Sequence, residues 1–361
     1  MKRKTKRIIK TVVLDLLLFG VLINVFAYFH HVRIKTVEPK MIANAAPAHT
    51  SVPALSSEPV SMPVPETTEK IPTADPELTD RPEGTKLPEA TPAPTVVPTG
   101  LLQGKYSEKF TDDIRFGEDG TYSSRNISLT ISTIERFDSR VHVADIYIND
   151  IQCLRTAVYS EFSKHYMSTV EMANAAGAIM ATSGDHFYAH RQAGVFAVRN
   201  GLEYAAKPNA KQDICVLYYD GVMEVYSADE INVDAIYARN PYQIWDFGPN
   251  MLDENGKAYP KYNSTVANVN PRCAIGYYEP GHYCLVNVEG RTKDSGGVTL
   301  VELGQIFEEL GCVSAYNLDG GKSAVMAFNG KAWSQTLSGG RDMSDIIFLR
   351  EPDVSEAGSE G

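Results

Sequence analysis

The chain reads as an α+β (mixed α/β) protein, a single domain in which a substantial β-sheet is packed by a few helices. Three observations carry that expectation. Turn dipeptides split β-branched, apolar runs into hairpins at three places. Two long segments upstream alternate in the period of a strand. Two further segments carry helix start and stop signals around an apolar stripe.

In chain order, "SLTISTIERF" and "RVHVADIYIND" are the alternating strands. "STVEMANAAG" is a helix, with Ser168 or Thr169 as its cap and Gly177 as its end. "DICVLYYDGVMEVYS" turns at Asp220-Gly221, "CAIGYYEPGHYCLVNVEG" at Pro280-Gly281, and "AVMAFNGKAWSQ" at Asn329-Gly330. "TLVELGQIFEELG" opens on a capping box, Thr299 with Glu302, and closes on a glycine. Its Leu300, Leu303, Ile306, Phe307 and Leu310 form one stripe.

The flanks differ from this domain. Residues 1–7 read as a cytoplasmic basic tail, and residues 8–30 as a transmembrane signal anchor of about the ~20 residues a bilayer requires. A cleaved signal peptide would have a shorter apolar region and a nearby small-residue cleavage site, which "YFHHVRIK" lacks. Residues 31–100 form an extracytoplasmic Pro/Thr/Ser-rich linker, since 13 of the 20 prolines fall between 36 and 100. The domain then runs over 101–350, and 351–361 is a polar tail expected to be disordered. These flanks place the protein at a cell membrane, single-pass, with its N-terminus inside and the domain in the cell-wall zone.

Beyond residue 35 the chain holds 26 Lys/Arg against 44 Asp/Glu, a formal charge of −18. Such a surface repels polyanions, so nucleic acid is not an expected partner. The five cysteines, Cys153, Cys215, Cys273, Cys284 and Cys312, match no metal-binding spacing. They read as small buried hydrophobes, with a Cys273–Cys284 bridge across a hairpin as the alternative.

Four polar clusters interrupt apolar segments. Ser183-Gly184-Asp185-His186 follows a buried strand, with His190 and Arg191 just beyond. Asp185 and His186 suit an acid/base pair, or simply a surface turn. Arg272, behind Pro271 at a strand entrance, suits bidentate capture of a phosphate or carboxylate, or a solvated position beside a turn. Arg291 and Asp294 precede the capped helix, whose N-terminus favours an anion, although a plain strand-to-helix loop reads the same way. Asn317 and Asp319 share a strand face, and Gly320-Gly321 leave backbone accessible to a ligand, or make only a turn. There is no Gly-x-Ser-x-Gly elbow, Walker loop or His-Glu-x-x-His helix.

The ordered series "SGDHFYAHRQAGVFAVRNG", "IWDFGPNMLDENGK", "NPRCAIGYY", "VNVEGRTKDSGG", "AYNLDGGKS" and "SDIIFL" resembles the phosphodiester glycosidase family over roughly residues 140–350. The resemblance implies hydrolysis of a sugar-1-phosphodiester at the C1–O bond, giving free sugar and a phosphomonoester. It implies catalytic roles for Asp185, Asp319 and His186. Substrate contacts would come from Ser183, Arg191, Arg272, Arg291, Asn317, Gly320, Gly321, Lys322 and Ser323. No cofactor is demanded, and a divalent cation is compatible with the carboxylates. Two positions depart from the family pattern. Ser183 stands where relatives commonly carry Asn, and Lys322 where they carry a third glycine. Lys322 either adds a phosphate contact or obstructs the pocket. The expected partner is a bacterial cell-surface glycan or teichoic-acid-like phosphoglycan. The rival reading is a non-catalytic phosphoglycan-binding or exopolysaccharide assembly protein with the same pocket.

Overall fold

The structure, a computed structural model, describes residues 40–41, 102, 105–162, 166–186, 194–335 and 340–352. The chain divides into two compact units, Met1–Ala48 with Thr99–Gly361, and His49–Pro98, and every described residue belongs to the first. The expected anchor at 8–30 lies outside the described residues, as does Arg191. Among the described residues no helix is long and apolar enough to cross a membrane.

The architecture corrects the expected mixed α/β class, because the protein is β-rich. Its described strands form three sheets in which every pairing is antiparallel. The described helices are short: α1 (Thr169–Ala175), α2 (Val233–Ala238) and α3 (Leu300–Leu310). The sequence expectation undercounted strands for a physical reason. Segments such as Leu154–Val158, Pro241–Trp245 and Asp345–Leu349 are covered on both faces, so they lack the alternation that betrays a half-exposed strand.

The first sheet orders β1 (Lys40–Met41), β9 (Leu202–Lys207), β8 (Val195–Arg199), β12 (Pro241–Trp245), β10 (Ile214–Tyr218) and β11 (Met223–Tyr226). The second orders β15 (Ser314–Leu318), β13 (Arg272–Glu279), β14 (His282–Val288), β5 (Ser139–Ile148), β4 (Ile127–Arg136), β3 (Thr121–Ser123) and β2 (Arg115–Phe116). The third orders β17 (Lys331–Ala332), β16 (Met326–Phe328), β7 (Met180–Ser183), β18 (Asp345–Leu349) and β6 (Leu154–Val158).

Central strands such as β7, β13 and β14 send alternate side chains to different cores, which fixes their register. Ile275, Leu285, Met180, Ile347, Leu217 and Trp245 meet in a central core shared by all three sheets. The opposite face of the second sheet packs Ala274, Cys284 and Val286 against Leu303, Ile306 and Phe307 of α3. Third-sheet residues Ala181 and Phe348 pack with α1, and first-sheet residues Val216 and Ile244 with Ile236 of α2.

The turn chemistry read from the sequence is observed. Asn329 and Gly330 both have positive φ, 47° and 76°, and join β16 to β17 as a two-residue hairpin does. The expected Thr299–Glu302 capping box forms on α3, and of the two cap candidates on α1 it is Ser168 that caps, in a box with Glu171 that the sequence reading did not name. The β4–β5 hairpin turns through Phe137 and Asp138, both at positive φ and without glycine, a turn that carries no sequence signal. The alternative Cys273–Cys284 bridge is excluded. Cys273 faces the central core and Cys284 faces α3, on opposite sides of one sheet.

Candidate active site

Strand pairing assembles the site. β13 and β15 run antiparallel with Cys273 opposite Leu318, so the residues just outside them, Arg272 and Asp319, emerge side by side. The two backbones then stay in contact. Gly321 N–H donates to Pro271 O at 2.8 Å, and a Cβ at Gly320 would lie 2.7 Å from the same carbonyl. Gly320 is therefore required by backbone approach. The Gly321 amide, read as free for a ligand, is already used within the fold.

A cavity of about 330 Å³ opens at this point. Its described lining includes Arg272, Arg291, Asp319, Gly320, Gly321 and Lys322, together with Phe247, Val266, Asn270, Leu318 and Arg341. Six of the residues singled out in the sequence thus share one wall.

The cavity is cationic, and two of its cations, Arg272 and Arg291, are not neutralised in kind among the described residues. Arg272 is nearly buried, yet it points at carbonyls: Nε donates to Val298 O at 3.0 Å, and Nη2 donates to Val266 O at 2.8 Å and to Asn268 O. Arg291 donates to Asn270 Oδ1 at 2.5 Å. Among the described residues neither guanidinium meets a carboxylate. Burial, and then the neighbouring Arg291 charge, push Arg272 down to about 10. Two cations held together without an acid are costly unless an anion completes the site.

Asp319 is the one carboxylate among the described lining residues. Its Oδ2 accepts from Arg341 Nη2 at 2.6 Å, and Arg341 Nε donates to Ser323 Oγ at 2.6 Å. Arg341 thereby fixes both Asp319 and the short turn Gly321–Ser323. Ser183 lies beneath that turn. Its hydroxyl donates to Ser323 O at 2.6 Å, and it is fully buried.

Asp185, His186 and Asn317 are placed away from the lining. Asp185 is wholly buried, with Oδ1 2.6 Å from Arg199 Nη2 and Oδ2 accepting from Asp246 N at 2.7 Å. Asp345, also wholly buried, accepts the backbone N–H groups of Asp185 and His186 at 3.2 and 2.8 Å. Burial and then the adjacent Asp185 push Asp345 well above the usual carboxylate range. Burial acts to raise Asp185 as well, but the Arg199 charge together with hydrogen bonds from Asp345, the Asp246 backbone and Arg199 holds it below that range. Two carboxylates around one guanidinium thus anchor the start of the loop after β7. His186 Nδ1 lies 3.1 Å from Ser344 Oγ. Asn317 Nδ2 donates to Gly248 O at 2.7 Å, steadying the segment after Phe247, while its buried Oδ1 has no partner among the described residues.

The sequence reading passed over Phe247, Asn270, Arg341, Arg199 and Asp345. Asn270 stood within the quoted "NPR" run. Arg341, after Gly339-Gly340 and ahead of an apolar strand, repeats the polar-before-apolar pattern of the four clusters. Among the described residues no group of three His, Cys, Asp or Glu side chains is placed to hold a metal ion.

Comparison with known proteins matches residues 176–350 to the phosphodiester glycosidase family. The SPbeta prophage-derived uncharacterized protein YomE of Bacillus subtilis (strain 168) is 27% identical over 194 residues, covering 52% of this chain and 30% of that protein. The N-acetylglucosamine-1-phosphodiester alpha-N-acetylglucosaminidase of Bos taurus is 35% identical over 99 residues, covering 25% of this chain and 19% of the enzyme. The chain therefore spans less than a third of either relative. Among solved structures, the zebrafish N-acetylglucosamine-1-phosphodiester alpha-N-acetylglucosaminidase catalytic domain, auto-inhibited by its pro-peptide, aligns with a TM-score of 0.49. The identity is 19%, over 62% of this chain and 83% of that one.

Proposed function

Residues 176–350 carry a phosphodiester glycosidase family domain, and from that premise we propose that the protein hydrolyses a sugar-1-phosphodiester to free sugar and phosphomonoester. The observation that carries this reading is the pair Arg272 and Arg291, without a carboxylate between them, facing a cavity that also holds Asp319. A phosphate leaving group departs as an anion, so strong general-acid help is less necessary. The cavity must instead stabilise charge developing on that phosphate, which preorganised guanidinium groups do at little reorganisation cost. Asp319 lies on the same wall, where a carboxylate stabilises an oxocarbenium-like sugar or activates water. Buried Asp185 then acts by positioning the loop, through Arg199 and Asp345.

The setting proposed for this reaction is a bacterial cell-surface glycan, such as a teichoic-acid-like phosphoglycan. The protein would be held at the membrane by residues 8–30 and extended by the linker. This rests on the basic-then-apolar N-terminus and the proline spacing.

A second reading, a phosphoglycan-binding protein, is favoured by one observation: Asp319 is already paired with Arg341. Release of sugar from a synthetic sugar-1-phosphodiester by the full chain separates the two. Turnover lost in Asp319→Asn, with inorganic phosphate still bound, supports the enzyme. Saturable binding without turnover in the wild-type chain refutes it.

A further inference from the structure

All five cysteines are buried, and two of them meet. Cys284 lies on β14, and Cys312 follows Gly311 at the end of α3. Their Sγ atoms are 3.7 Å apart. Both face the core beneath α3, and Tyr278 packs against the same cluster. The space they occupy is made by a missing side chain. Gly276 of β13 lies opposite both Cys284 and Ala315 in the sheet. A Cβ there would come within 2.7 Å of one sulfur, 2.8 Å of the other and 2.8 Å of Phe307.

We propose that Cys284 and Cys312 are a disulfide-forming pair that ties β14 to the end of α3. Their sulfurs sit within side-chain rotation of the ~2.05 Å bond length, and no other thiol shares their side of the sheet at this point. In forming the bond the two thiols lose two protons and two electrons. The electrons pass to a disulfide oxidant, glutathione disulfide or the active-site disulfide of an oxidoreductase, which leaves as two thiols. The neighbouring Cys312 thiol, and then burial, push the Cys284 thiol well above its ordinary value. The packed thiols are thus poor nucleophiles, and the bond forms while α3 is still seating.

The closed loop spans a separation of 28 residues. It contains Arg291, and also Val298, whose carbonyl holds Arg272. The bond restrains the segment that carries one wall of the cavity. The proposal is independent of which reaction that cavity performs.

The test uses the full chain, unfolded with reductant and refolded in a mixture of glutathione and glutathione disulfide. Remaining thiols are alkylated in denaturant and mapped by mass spectrometry. The expected result is three of the five cysteines alkylated, with the Cys284 and Cys312 peptides joined. The melting temperature should rise by about 5–10 °C over the reduced protein. Five alkylated cysteines, or a bond to any other cysteine, overturn the proposal. Cys312→Ala should lose the thermal gain under the same mixture, and a gain that persists also overturns it. If that variant does not fold, the mapping on the wild-type chain decides alone.

Discussion

Asp246 offers a stringent test of the electrostatics behind the cavity. It closes β12, is nearly buried, and accepts one hydrogen bond, from Phe196 N at 2.8 Å. Burial raises its carboxyl to about 7 from 3.8. Nearby Asp185 adds to the rise and Arg199 opposes it. Between pH ~3.8 and ~7 the folded protein therefore keeps a proton that the unfolded chain has released. The stability associated with this group is full below the lower value and is lost as pH rises towards the upper one. A shift of that size corresponds to about 4 kcal/mol at pH 8. Asp246→Asn keeps an acceptor for Phe196 N and has no proton to lose. Urea unfolding midpoints measured from pH 4 to pH 8 should show variant and wild type within about 1 kcal/mol at the acid end. The variant should be about 3–4 kcal/mol more stable at the alkaline end. A difference that does not change with pH would refute the reasoning, because it would mean that Asp246 titrates alike in the folded and unfolded chains.

Three further predictions concern the cavity. Arg291→Gln removes one charge-assisted contact to the phosphate and should lower kcat/KM on a sugar-1-phosphodiester by about 10- to 150-fold. An equal loss on an uncharged aryl glycoside would remove the phosphate from the explanation. Lys322→Gly should raise KM by about 2- to 5-fold, an effect that fades in high salt because the lysine is exposed. A fall in KM would show that Lys322 obstructs the pocket. Arg341→Met releases Asp319 and Ser323 together and should lower kcat at least tenfold while changing KM little, read from steady-state kinetics. A change confined to KM would assign Arg341 to substrate binding alone.

Local features were legible because each is enforced within a few residues. Asp220-Gly221, Pro280-Gly281 and Asn329-Gly330 turn where their backbone preferences demand, and Thr299 with Glu302 caps α3. Arg272, Arg291 and Asp319 also stood out, each being a polar residue at the mouth of an apolar strand or loop. The sheet count did not stand out. Strands such as Asp345–Leu349 are buried on both faces, and their unbroken apolar runs resemble any other core segment. Asp185 shows a different limit of the sequence. Its motif suited an acid/base pair or a surface turn, and the groups that decide its environment, Arg199 and Asp345, lie 14 and 160 residues away.

By itself the sequence determined the turns, the helix caps, the acidic surface, the family likeness and the stretch "AYNLDGGKS" as a place where chain and ligand could meet. Tertiary structure decided which of those residues share a cavity. It gave Gly320 and Gly321 to the carbonyl of Pro271 and supplied Arg341 as the partner of Asp319. It left Arg272 beside Arg291 with no acid between them. It also set Cys284 against Cys312 across Gly276 and kept Cys273 on the far side of the sheet. The physical reason is the same throughout. A side chain's charge and chemistry are local, whereas its solvation and its counter-charge are fixed by strands that meet only after folding.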